Sequence, residues 1–249
     1  MEAVTEGTRE RRRAGRGAER SAKAPKAPQP RLPFAPVELA TPEQIERIHQ
    51  ASLKVLEEIG IEVLHDGARV ILKKAGAIVD EETQRVRFPR DLVESKIGLA
   101  PKSFILHARN PENNVVIGEN AVAFGSVASA PNVADRDGGR RPGNHKDYQN
   151  LLRLGQSLDA VHFWGGYPVE PADIHASVRH LDALYDMLTL SDKPIHAYSL
   201  GAERNLDAIE LVRIARGVDD ATLDREPSVF TIINSNSPLR LDIPMMEGI

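Results

Sequence analysis

Ala160-Val161-His162-Phe163-Trp164-Gly165-Gly166-Tyr167 reads as a short β-prone run that ends in a glycine turn, and the residues around it set a rhythm. Residues 145–157 before it carry helical periodicity. Residues 174–189 after it do the same and lead to a second run, Pro194-Ile195-His196-Ala197-Tyr198. Ala121 to Phe124 and Ser228 to Ile233 are two further runs, with helix-patterned residues 205–216 before the last. Strand, helix, strand in repetition predicts parallel neighbours, because a crossover helix can join parallel strands and a tight hairpin cannot. Periodicity alone leaves an open doubly wound sheet and a barrel both standing. No Gly-x-Gly-x-x-Gly follows any of the four runs, so a nucleotide-binding sheet loses its usual support.

Upstream, the pattern is different. Thr41-Pro42-Glu43-Gln44 has a capping Thr, a Pro at the first helical position and a Gln placed for a capping box, and a helix should run from there to Gly60. A second helix is expected from Asp66 to Gly76, a hairpin over 77–88, a short helix after Pro89, and extended segments at Ser103 to Ala108 and Val115 to Ile117. The expected organisation is a disordered leader of Ala, Pro and Arg over 1–36, a small α+β cap over 37–120, and the repeating βα part over 121–249. Deleting the leader should then leave stability unchanged.

Composition removes whole classes of function. With no cysteine, the chain has no disulfide, thiolate-held metal or thiol nucleophile. The leader carries a formal charge of +5 and the rest −9, which argues against nucleic acid as the main ligand. No apolar run is long enough to span a membrane or form a signal peptide, so a cytoplasmic protein is expected, not bound to membranes. The residues leave a homo-oligomer open.

Several stretches, in order along the chain, resemble the trimethylamine methyltransferase family. They are Val86-Arg87-Phe88-Pro89-Arg90-Asp91-Leu92-Val93, Ala100-Pro101-Lys102-Ser103-Phe104, Ala108-Arg109-Asn110-Pro111-Glu112, Phe124-Gly125, Ala130-Pro131, Asp137-Gly138-Gly139-Arg140-Arg141-Pro142, Asp192-Lys193-Pro194 and Asn236-Ser237-Pro238-Leu239-Arg240. The resemblance implies a TIM-type (β/α)8 barrel, of which three whole βα units and the start of a fourth would be about the first half. It implies methyl transfer from a tertiary or quaternary amine to a corrinoid (cobalamin) carried by a partner protein, with no cofactor held by this chain. Family members with pyrrolysine carry it in the part of the barrel beyond this chain. Others, without it, are linked to quaternary amines such as glycine betaine.

A barrel presents its ligand groups where strands end. Those places hold Phe124-Gly125, Trp164 to Tyr167, Tyr198 and, after the last run, Asn234 and Asn236. A quaternary ammonium has no N–H to donate, so a site must hold it by cation–π attraction, for which Phe124, Trp164, Tyr167 and Tyr198 are candidate walls. The same Phe124 and Trp164 would equally fill a barrel interior. Gly125 permits close backbone approach. Asn234 and Asn236 either orient a substrate carboxylate or amide, or belong to the start of a fourth helix capped by Ser237. His162 and His196 lie within runs; pointing inward, they would suit a metal-dependent barrel hydrolase. A noncatalytic half-barrel remnant or binding protein is the other alternative.

Overall fold

The computed structural model describes residues 26–35, 37–198 and 200–249. It is a mixed α/β structure of helices and small sheets, in which the strands close no barrel. Among the described residues no helix is long and apolar enough to cross a membrane.

The first helix, α1 (Pro42–Lys54), starts as its residues require: Gln44 N donates to Thr41 Oγ1 and Thr41 N to Gln44 Oε1. Its continuation to Ile59 widens by one residue, with Gly60 N donating to Val55 O. Gly60 has φ 74°, and a Cβ there would stand 2.3 Å from Val86 O, so only glycine fits. Then follow β1 (Ile61–Val63), α2 (Asp66–Lys74), the hairpin β2 (Ile78–Asp80) and β3 (Arg85–Arg87), and α3 (Arg90–Ile97). Val63, Ala68, Ala77 and Val86 close a small core between them. An antiparallel pair, β4 (Ser103–Leu106) and β5 (Val115–Gly118), comes next.

Residues 26–32 are tied to the body, which contradicts the expectation of an unattached leader as far as Pro36. Gln29 Nε2 donates to Val116 O and Val122 O, and its Oε1 accepts from Val116 N. Leu32 N donates to Asn120 O, and Val122 N to Pro30 O. The expectation for residues 1–25 lies outside the described residues.

A further hairpin that the sequence reading passed over, β6 (Asn132–Asp135) and β7 (Gly139–Pro142), turns where Asp135 Oδ1 accepts from Asp137 N and Gly138 N. α4 (His145–Ser157) follows behind an Asn144/Asp147 capping box. Next come α5 (Arg179–Leu190), β8 (Ile195–His196), α6 (Ala202–Arg216), α7 (Asp220–Arg225) and β9 (Val229–Phe230). α5 begins five residues after Ile174, where the expected helix starts, because residues 174–178 form a turn around His175 and Arg179 donates back to Ile174 O.

The four β-prone runs lie side by side in chain order, held by few bonds. Gly125 bridges Phe163 in parallel, Trp164 N donates to Pro194 O, and β8 pairs with β9 in parallel. Trp164, Tyr167, Val169, Ile195 and Ala197 pack against Tyr148, Leu152, Ala183, Leu184, Met187, Ala208 and Val212 from three helices. The intervening Phe163, His196 and Phe230 turn to the opposite face, where the Phe230 ring meets Phe163 at 5.4 Å and His196 at 5.3 Å. The chain then returns to its beginning: β10 (Arg240–Leu241) pairs in parallel with β1, with Arg240 Nε 2.7 Å from Glu62 Oε2. The last helix, α8 (Ile243–Glu247), is capped by Asp242 Oδ1, not by Ser237 as the sequence suggested.

Helix-to-sheet packing leaves no room at α4. A Cβ on Gly155 would stand 2.3 Å from the Trp164 ring. Gly155→Ala is therefore expected to destabilise by about 1–3 kcal/mol. A urea melt with a lower midpoint and unchanged slope would register it.

Candidate functional site: a tyrosine cavity at the strand ends

Tyr167 and Tyr198 follow the second and third runs, and the structure brings them together. Their rings stack at 5.3 Å with an interplanar angle of 28°, and Tyr148 of α4 supports Tyr167 edge-on at 5.7 Å. They line a cavity of about 190 Å³ together with Glu170, Arg179, His180 and Arg204. Gly166, with φ 152°, lies so close to Ala128 that a Cβ would come within 2.8 Å, and this contact sets the approach to Tyr167.

Charges around the cavity are mostly paired. Arg179 Nη1 lies 2.6 Å from Glu170 Oε1, and its other nitrogens donate to Ile174 O. His180 Nε2 lies 2.8 Å from Asp207 Oδ2, and its Nδ1 is buried without a partner among the described residues. Arg204 forms no ion pair to any described residue. Burial, with Glu170 next in effect, pushes the Tyr167 hydroxyl well above the usual phenol range and keeps it protonated.

The other candidates are elsewhere. Trp164 is sealed, 1% exposed, with its Nε1–H donating to Ser191 Oγ at 2.8 Å and its ring against Gly155. Neither ring face is open to a ligand. Phe124 is exposed and stacks on His162 at 5.9 Å, away from the tyrosines. Gly125 packs on the Phe163 ring. Asn236 Nδ2 donates to Asp242 Oδ2 and Asn234 is exposed, and neither lines the cavity.

His162 and His196 do not converge. His162 Nδ1 accepts from Phe124 N on the helix-facing side, and burial lowers its pKa. His196 lies on the opposite face, with both ring nitrogens buried and unpartnered among the described residues and its pKa also lowered by burial. Among the described residues no three His, Asp or Glu side chains are grouped to hold an ion.

Where the runs begin, a second polar cluster joins the two parts of the chain. Asp192 accepts from Asn113 Nδ2 (2.5 Å) and Gln156 Nε2 (2.7 Å), and Gln156 Oε1 accepts from Ser191 Oγ (2.7 Å). Lys193, buried, donates to Gly155 O and Leu158 O at the end of α4. Burial lowers its pKa to about 8. Since the unfolded lysine holds its proton to about pH 10.4, the folded state carries a penalty below pH 8 that is relieved as pH rises from 8 toward 10.4. The stability of the wild type relative to Lys193→Met should therefore rise over that window in parallel melts. A flat difference would mean that Lys193 keeps an ordinary pKa.

The family model for trimethylamine methyltransferase (MTTB) matches residues 5–249. This chain belongs to the trimethylamine methyltransferase family. It is 39% identical over 211 residues to a glycine betaine methyltransferase of Desulfitobacterium hafniense (strain Y51), an alignment covering 85% of this chain and 43% of the relative. To the trimethylamine methyltransferase MttB of Methanosarcina thermophila it is 39% identical over 210 residues, covering 82% and 43%. The MttB of Desulfitobacterium hafniense (strain DSM 10664 / DCB-2) is 28% identical over 200 residues, covering 80% and 40%. The chain thus spans about two fifths of the length of these relatives.

Within this trimethylamine methyltransferase family chain, the stretches that carried the resemblance are joints of the fold. Asn110 meets Asp192, Arg141 pairs with Asp135 and Asp147, and Arg240 pairs with Glu62. The cavity residues Glu170, Arg179, His180 and Arg204 were not singled out as site residues. Their signal was weak: they stand in a loop and on first helical turns, where charge is ordinary.

Proposed function

We propose that this chain is part of an amine methyltransferase that transfers a methyl group from a methylated amine to a corrinoid protein. The family match over residues 5–249 carries this reading. The four side-by-side runs with helices packed on one face agree with the first half of a (β/α)8 barrel, whose ligands bind where strands end. Tyr167 and Tyr198 stand at such ends.

In the proposed reaction, the reduced cobalt of the partner's corrinoid attacks the methyl carbon. A Co–C bond forms, the C–N bond breaks, and its electron pair leaves on nitrogen. A quaternary donor departs as a neutral tertiary amine and needs no proton from the protein. The task of the partly open Tyr198 ring, backed by the stacked and buried Tyr167, is to hold the ammonium at the cavity and to position the methyl group.

Glycine betaine and 3,3-dimethylbutyrate share shape and carboxylate and differ in having N⁺ or carbon at the centre. Calorimetric titration of the chain should find the betaine tighter by roughly 1–2 kcal/mol, with the preference lost in Tyr198→Leu. Equal affinity for the two in the wild type would contradict recognition of the ammonium by this cavity.

A further inference from the structure

We propose that the cavity where the runs begin is a second site, in which Lys193 forms an imine with a small aldehyde that carries a carboxylate. This site is separate from the tyrosine cavity and does not depend on methyl transfer.

The cavity has a volume of about 630 Å³ and lies between residues 26–29, residues 110–115, the end of α4 and the start of the third run. Lys193, in its wall, is 5% exposed and forms no ion pair with a described carboxylate. Buried charges are ordinarily paired. Its nitrogen donates instead to two carbonyls, Gly155 O at 2.6 Å and Leu158 O at 2.8 Å. An ammonium has three N–H groups and a neutral amine two, so these acceptors satisfy the amine completely and leave its lone pair over. Burial, with the like charge of Lys26 next, lowers the Lys193 pKa to about 8, and Asp159 and Asp192 offset this only in part. A desolvated lysine of this kind is a nucleophile for carbonyl carbon.

In the proposed step the amine nitrogen attacks the aldehyde carbon, a C–N bond forms, and the carbonyl oxygen leaves as water. Overall, the ammonium and the aldehyde give a protonated imine and water, with nothing oxidised or reduced. The one N–H that remains donates to a carbonyl at the C-terminal end of α4, where the helix dipole favours the retained positive charge.

Two further donors of the same cavity suit the carboxylate. Lys26 Nζ donates to Glu112 O and Asn113 Oδ1, forms no ion pair with a described carboxylate, and has a third N–H to give. Its charge is the one that acts most strongly on both Lys193 and His162. His162 is nine-tenths buried, and its Nδ1 accepts from Phe124 N, so the ring proton sits on Nε2. No described residue accepts from that Nε2–H.

The 249-residue chain is treated at about pH 8 with glyoxylate or acetaldehyde, each with cyanoborohydride to fix the imine. Peptide mass spectrometry then follows the carboxymethyl or ethyl group at each lysine. Glyoxylate should mark Lys193 at least tenfold faster than the exposed Lys96 and Lys146. Lys26→Gln, with folding verified by its melt, should slow that marking severalfold and leave the acetaldehyde rate at Lys193 unchanged. Marking of Lys193 no faster than of the exposed lysines, or only after unfolding in urea, would overturn the inference. So would a glyoxylate rate undiminished in Lys26→Gln.

Discussion

Trp164→Ala is expected to lower stability by about 3–5 kcal/mol, the usual cost of emptying a buried aromatic site. The indole fills the space between its strand and α4, touches the Gly155 backbone and donates to Ser191, which donates in turn to Gln156. Truncation would leave a cavity and also unhook a polar chain that reaches Asp192. Chemical denaturation of the wild type and the variant measures it. A loss below about 1 kcal/mol would mean that the site collapses around the smaller side chain. Tyr198, partly open to the cavity, should affect ligand binding more than folding.

Removing residues 26–32 is the second large effect. A chain beginning at Pro33 is expected to be less stable than one beginning at Lys26 by about 2–4 kcal/mol. The loss combines several hydrogen bonds at roughly 0.5–1.5 kcal/mol each with the exposure of the Val116 and Val122 backbone groups that Gln29 and Pro30 now satisfy. Equal midpoints for the two truncations would show that the segment lies on the surface without supporting it.

Local signals were legible where a residue's own chemistry decides the outcome. The capping box at Thr41 fixed one helix start, and the hairpin over 77–88 followed from its turn residues, whereas the Asn144/Asp147 box before α4 emerged only in the structure. Side-chain facing was not legible in a run as short and apolar as Ala160 to Trp164, where His162 is the single polar residue and too little to mark an alternation. Trp164 thus read either as a ligand wall or as filling of a barrel interior, and its helix-facing side was not assigned, while Tyr167 and Tyr198 read as candidate walls but not as a stacked pair. Docking of Gln29 and the pairing of β10 with β1 are contacts between residues far apart in the chain. Nothing local announces them, and the Ala/Pro composition that made residues 1–36 look uniform concealed where attachment begins. Arg204 and Glu170 acquire meaning only once α5, α6 and the strand ends are brought to one place.

The most direct test of the proposed activity combines this chain with the remaining portion of the Desulfitobacterium glycine betaine methyltransferase, of which the alignment covers 43%. A reduced corrinoid protein and methylated amines, betaines included, are added to the assembled protein. The account predicts methyl–cobalt(III) absorbance rising in step with the demethylated amine, one for one. An assembled, folded complex that transfers no methyl group from any methylated amine would contradict it.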